Sequence, residues 1–272
     1  MGVFGGKLGK WILSKVLIAL HRVDPSLSIY SSSFDEVLKY FELGNMNGLT
    51  VMDFGCGYGR TVLDIAKLGP RQVIGLDIRD SVLHEARKLA DNEKLSNVRF
   101  VSALTDDVKE LYGKIDIIVS IDAFEHYGDP AQVLDEMAKY LTRDGRVYIS
   151  FGPPWWHPYG AHLQFMTRLP WPHVMFTENV LMAARSLYKT DGAVKFEQVG
   201  GGLNRMSVKK FEQLIHNSGF RIMTLQLIPI RRTKFLHTYC PGGRELFTSV
   251  IKASLQRKEA MASCGSPEAV QP

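Results

Sequence analysis

The densest run of chemically useful residues is Val51-Met52-Asp53-Phe54-Gly55-Cys56-Gly57-Tyr58-Gly59-Arg60. Glycines at alternate positions let the backbone turn tightly and let a ligand approach main-chain groups, because no Cβ intervenes and a positive φ costs little. A pyrophosphate cradle needs G-x-G-x-x-G at the opening of a helix. Here the spacing is G-x-G-x-G, and Arg60 takes the place of the third glycine. Asp53 adds negative charge toward the same turn. A carboxylate repels pyrophosphate and attracts an ammonium, so the pattern favours a cationic ligand without phosphate. Asp77 closes Val73-Ile74-Gly75-Leu76-Asp77, close to the interval at which an acidic residue takes the ribose hydroxyls in doubly wound folds. Its carboxylate can accept both hydroxyl protons, and Ile78 beside it can cover one face of an adenine ring.

Proton transfer near neutrality points to histidine. The candidates are His126, in Ser120-Ile121-Asp122-Ala123-Phe124-Glu125-His126, and His157 and His162, in the stretch from Gly152 to His162. Each also has a structural reading: His126 orienting its loop, His157 lying at the surface of a proline turn, His162 capping a short helix. No metal site is expected, since Asp122, Glu125 and His126 adjoin without a second carboxylate set that would complete an oxygen-rich shell. Trp155, Trp156, Tyr159, Phe165, Trp171 and Phe176 crowd the same region. They suit an apolar acceptor pocket, a hydrophobic lid, or both.

The elements that must position these residues alternate between strand and helix, the pattern of βαβ units around a mostly parallel sheet. Strands are expected at 49–54, 72–77, 98–102, 115–121 and 146–151. The run Ile115-Asp116-Ile117-Ile118-Val119-Ser120-Ile121 is apolar enough to be covered on both faces. Helices are expected at 61–68, from an N-cap at Ser81, and at 131–141 behind Asp129-Pro130. Asp144-Gly145 should turn into the fifth strand. The rhythm breaks over 152–205, an irregular insertion with one or two short helices. It returns with Ser207 capping a helix, a strand over 220–230, and a helical turn followed by a strand within 245–257.

Composition bounds the rest. The chain has 272 residues, 45% of them hydrophobic, enough for one sizeable core. A net charge of +5 without a clustered basic tract argues against a nucleic-acid partner, and three cysteines form neither a disulfide framework nor a metal set. Residues 1–45 read as an N-terminal helical cap whose amphipathic helix packs on the domain as a lid or rests on a membrane surface. Residues 46–257 form the main domain, and 258–272 a disordered tail. A cytoplasmic protein, or one peripheral to a membrane through that helix, is expected.

Residues 49–151 resemble the class I, Rossmann-like family of S-adenosylmethionine-dependent methyltransferases, of the small-molecule type. Asp53, Gly55, Gly57 and Gly59 match its first motif, and Asp77 matches its ribose-binding acid. The stretch 120–126 is similar to the segment lining the reactive side of the cofactor, and 129–150 follows the family pattern. The resemblance implies an α/β doubly wound sheet of seven strands with an inserted lid. It also implies S-adenosylmethionine as cofactor, S-adenosylhomocysteine as product, and binding through Asp53, Gly55, Cys56, Gly57, Gly59, Asp77, Ile78, Leu104, Thr105 and Asp122. Where members commonly carry an acidic residue for the adenine amino group this chain has Ala103, so either Thr105 or Asp106 substitutes, or backbone groups of Ala103 and Leu104 read the adenine. The implied reaction is methyl transfer to an oxygen of an apolar or aromatic metabolite, sugar or lipid-linked compound. A non-catalytic cofactor-binding regulator or assembly protein is the alternative, and the glycine spacing disfavours a nicotinamide oxidoreductase.

Overall fold

A computed structural model describes residues 3–19 and 45–258. Most of the expected cap (20–44) and nearly all of the expected tail (259–272) lie outside the described residues. Among the described residues, seven strands form one sheet: β1 (Thr50–Phe54), β2 (Gln72–Asp77), β3 (Val98–Ser102), β4 (Ile115–Ile121), β5 (Leu141–Phe151), β6 (Phe220–Pro229) and β7 (Thr248–Arg257). Their spatial order is β3-β2-β1-β4-β5-β7-β6. β1 to β5 pair in parallel, and β7 runs antiparallel to both of its neighbours.

Alternation of side chains along the strands explains the two cores. Met52, Ile74, Ile118, Val147 and Ile149 face one core, and Val51, Val73, Val119 and Tyr148 the other. The first is covered by the helices Pro130–Tyr140 and Val208–Asn217, through Leu134, Met137, Phe211 and Ile215. The second is covered by Arg60–Ala66 and Asp80–Asn92, through Val62, Ile65, Leu83 and Ala86. Because both faces of the central strands are buried, their sequences read as continuous apolar runs.

Two helix starts follow their sequence signals. Asp129 accepts from the backbone of Ala131 and Gln132 ahead of Pro130, and Ser207 accepts from Lys210 N–H. Ser81 does not cap its helix. The helix begins at Asp80, and the residue in the capping position is Arg79, whose N–H donates to the Asp77 carboxylate at 2.9 Å. No side chain caps this helix; the N–H that the Asp77 carboxylate holds here belongs to the residue that precedes it. Asp144-Gly145 likewise lies inside β5 and makes no separate turn; the extra residues are absorbed where the pairing with β4 shifts between Ile115 and Ile117.

The insertion builds a third apolar cluster from Ala161, Leu163, Met166, Phe176, Val180, Leu181 and Phe196. Its short helices are Pro172–Met175 and Glu178–Arg185. The N-terminal helix, Gly6–Ala19, buries Leu13 in this cluster. Phe4 bridges to Phe176, and the Val3 and Phe4 N–H groups both donate to the Met175 carbonyl. The helix therefore packs on the insertion, with Leu8 and Trp11 on its exposed side. Among the described residues, no helix is long and apolar enough to cross a membrane.

Candidate active site

The strand order reverses where β1 lies between β2 and β4, the point at which open α/β sheets bind ligands beyond the carboxyl ends of their strands. The glycine turn sits there. Gly55 N–H and Cys56 N–H donate to the Leu76 carbonyl at 2.8 and 3.0 Å, and Gly57 N–H donates to Asp77 Oδ2 at 2.9 Å, so the turn rests on the end of β2. The three glycines serve different ends. A Cβ on Gly55 would stand 2.9 Å from the Tyr127 hydroxyl, and one on Gly59 2.8 Å from Phe100. A Cβ on Gly57 would meet only Arg79 Nη2, at 3.7 Å. Packing thus requires the outer two, while the middle one keeps a face open. Cys56 is buried, and burial together with the Asp53 charge raises its thiol pKa, so it stays protonated.

Two carboxylates border the turn. Burial pushes the pKa of Asp53 up to about 7, with the charge of Asp77 adding to the effect. Burial opposes ionisation of Asp77 too, but the Arg79 guanidinium and the Arg79 and Gly57 N–H groups outweigh it and hold the carboxyl below its usual range. Beyond the ends of β2 and β3, Ile78 and Leu104 are 63% and 74% exposed. Large apolar side chains left open at neighbouring strand ends suit the faces of a flat aromatic ring. Thr105 Oγ donates to the Ser102 carbonyl at 3.0 Å and closes the turn after β3.

The far side is built at the end of β4. Asp122 takes φ +49°, in the left-handed region, and its N–H donates to the Ser150 carbonyl at 2.8 Å. The next turn, Phe124–His126, is clamped by Asn204 of the insertion. Asn204 Nδ2 donates to the carbonyls of Phe124 and Tyr127 at 2.8 and 3.0 Å, and Asn204 N–H donates to that of Glu125. Glu125 is buried, and burial lifts its pKa to about 8.

His126 Nδ1 lies 2.6 Å from the Gly202 carbonyl. A carbonyl only accepts, so Nδ1 carries the proton and the neutral ring presents a bare Nε2. Burial lowers the His126 pKa, which keeps the ring neutral. His162 packs edge-on against it, ring centroids 5.7 Å apart. His157 acts elsewhere, its Nδ1 accepting Tyr159 N–H at 3.0 Å and so fastening a turn. Burial lowers the pKa of both His157 and His162 to about 4.

Asp53, the glycine turn, Asp77, Ile78, Leu104, Thr105 and Asp122 are thus gathered at the carboxyl ends of β1 to β4, with His126 and His162 together at the insertion side. Sequence reasoning does not find Arg79, Tyr127 or Asn204. Arg79 follows the acid by two positions, which is a usable local signal; Asn204 reaches its partners from nearly 80 residues away and leaves none. A cavity of about 330 Å³ lies between the insertion and the helix after Ser207, lined by Trp155, Trp156, His173, Phe196, Arg205 and Lys210 among others.

Comparison with known proteins agrees with this fold. Residues 45–198 match the model of a family described as a methyltransferase domain. The magnesium-protoporphyrin O-methyltransferase of Synechocystis is 34% identical over 112 residues, 40% of this chain and 47% of that protein. The ubiquinone biosynthesis O-methyltransferase of Acinetobacter baylyi is 29% identical over 108 residues, 39% of this chain and 45% of that one. The chain therefore spans about half the length of the curated relatives it matches. The crystal structure of the Synechocystis magnesium protoporphyrin IX methyltransferase with bound S-adenosylhomocysteine superposes with a TM-score of 0.51 at 20% identity, covering 83% of this chain and 82% of that one, and so shares the fold. With the family match spanning more than half of its residues, this chain belongs to the class I, Rossmann-like S-adenosylmethionine-dependent methyltransferases.

Proposed function

We propose that the protein transfers the methyl group of S-adenosylmethionine to an oxygen of a small apolar or aromatic acceptor. The observation that carries this reading is the placement of Asp77 and the open face of Gly57 at the sheet's switch point, with the neutral imidazole of His126 across the site. Asp77 would hold the ribose diol, Ile78 and Leu104 the adenine faces, and Asp53 the ammonium of the methionyl group. When bound, the cofactor supplies an activated methyl group, so the chain has only to align the acceptor, exclude water and take a proton. His126 suits the last of these, because its Nδ1 proton is committed to Gly202 and Nε2 is left to accept.

The cavity beside Trp155, Trp156 and Phe196 is also lined by Glu178, Arg205 and Lys210, which suits an acceptor carrying both a ring and polar groups. Both relatives are named O-methyltransferases, which supports oxygen as the accepting atom. The test is incubation of the purified protein with methyl-labelled S-adenosylmethionine and fractionated cell extract. Label in an organic-extractable metabolite is the expected result. Binding of S-adenosylhomocysteine with no labelled product in any fraction would favour the non-catalytic alternative.

A further inference from the structure

Four donors reach the Asp77 carboxylate, two to each oxygen. Oδ1 accepts Arg79 N–H at 2.9 Å and Arg79 Nε at 3.1 Å; Oδ2 accepts Gly57 N–H at 2.9 Å and Arg79 Nη2 at 3.4 Å. Each oxygen therefore holds one backbone donor, fixed by the fold, and one guanidinium donor, carried on a side chain that is about half exposed. A carboxylate has about four lone-pair positions. A ribose offers two hydroxyl donors on adjacent carbons, and the guanidinium edge offers two N–H donors on adjacent nitrogens.

Resting on the reading of Asp77 as the ribose acid, we propose that Arg79 is an affinity-setting residue that occupies the diol's two positions and must leave them when the nucleoside binds. Two further facts agree. Arg79 Nη2 is the atom that faces the open side of Gly57, so the guanidinium stands over the part of the turn that a ligand must reach. Its charge also acts on His126 at the opposite side of the site, so Arg79 overlooks the space between the two. The backbone donors stay in place when the side chain swings out, and they keep the carboxylate oriented for the two incoming hydroxyls. The exchange is of a charged donor pair for a neutral one, so it lowers affinity for the nucleoside.

The test is calorimetry with S-adenosylhomocysteine on the wild-type chain, Arg79→Met, Asp77→Asn and the double variant, with unliganded melting curves to confirm folding. Charge-assisted hydrogen bonds at this site predict about tenfold tighter binding for Arg79→Met, and at least tenfold weaker binding for Asp77→Asn in either background. Adenosine and 2′,3′-dideoxyadenosine separate competition for the carboxylate from a general clearing of the site, because the gain in Arg79→Met should appear with adenosine and vanish without the diol. Equal or weaker binding by Arg79→Met, or an equal gain for both nucleosides, overturns the role of Arg79 and leaves the ribose reading intact. Unchanged binding by Asp77→Asn overturns the ribose reading itself.

Discussion

The hydroxyl of Tyr127 donates to the carbonyl of Phe54 at 2.7 Å and so ties the loop after the central strand to the first residue before the glycine turn. Since that hydroxyl's proton is committed, Ser120 Oγ at 2.9 Å must donate to it. The two halves of the site, one on β1 and one on β4, are joined by this half-buried phenol, whose aromatic ring also packs edge-on against Phe54 and Phe124. Tyr127→Phe keeps the ring packing and leaves the Phe54 carbonyl and the Ser120 hydroxyl short of a partner. A loss of about 1–3 kcal/mol in denaturant unfolding is expected, together with weaker binding of S-adenosylhomocysteine. Unchanged stability would show that neither group depends on the phenol.

Gly57 and Gly59 separate binding from folding. An Ala Cβ at Gly59 would fall within 2.9 Å of both Phe100 and Ala86, at φ +77°. Overpacking of this kind costs about 1–3 kcal/mol, with the left-handed backbone adding about 1. Gly57→Ala bears only the backbone cost, yet its methyl group projects from the open face. Melting curves and calorimetry should therefore show Gly59→Ala less stable and Gly57→Ala folded but deficient in binding. Equal behaviour of the two would contradict the division of labour between these glycines.

On the proposed role of Asp53, cofactor affinity should depend on pH. With its pKa raised to about 7, the carboxylate that would meet the ligand's ammonium forms only as pH rises through neutrality. Affinity for S-adenosylhomocysteine should rise by roughly tenfold between pH 6 and pH 8, with proton release on binding detected by repeating the titration in buffers of different ionisation enthalpy. Asp53→Asn should flatten the profile. A wild-type profile that is flat, or that falls with pH, would remove Asp53 from the site.

Glu125 shapes stability in the same pH range. Its folded pKa, about 8, lies above the ordinary carboxylate value because burial favours the neutral acid. The folded chain then holds a proton that the unfolded chain has already lost, so this residue's contribution declines as pH rises from about 4.5 through 8. Glu125→Gln keeps the shape and removes the charge. It should melt higher than wild type at pH 9, with the difference shrinking toward pH 5. A constant difference at both values would mean that Glu125 does not titrate in this range.

Much of the fold was legible because its signals are local. The apolar runs of β1 and β4, the Asp129-Pro130 and Ser207 caps, and the glycine turn followed by Asp77 each depend on residues within one element or at its edge. The start of the Asp80 helix was not, because the helix begins one residue before Ser81 with no side-chain cap, while Ser81 looks like an N-cap on type alone. The Asn204 clamp and the Gly202 contact that fixes the His126 tautomer join segments far apart in the chain, and no periodicity records them. The choice among the three histidines was open in sequence for the same reason. Only the fold reveals that Tyr159 N–H occupies a nitrogen of His157, while the ring of His162 lies against His126.

The most direct measurement is a crystal structure of the protein with S-adenosylhomocysteine. The nucleoside is predicted to lie across Gly55 to Gly59, its diol on the Asp77 carboxylate, its adenine between Ile78 and Leu104, and its amino group toward Asp53. A ligand seated elsewhere on the chain, or one that leaves Asp77 without a ribose contact, would contradict the account at its base.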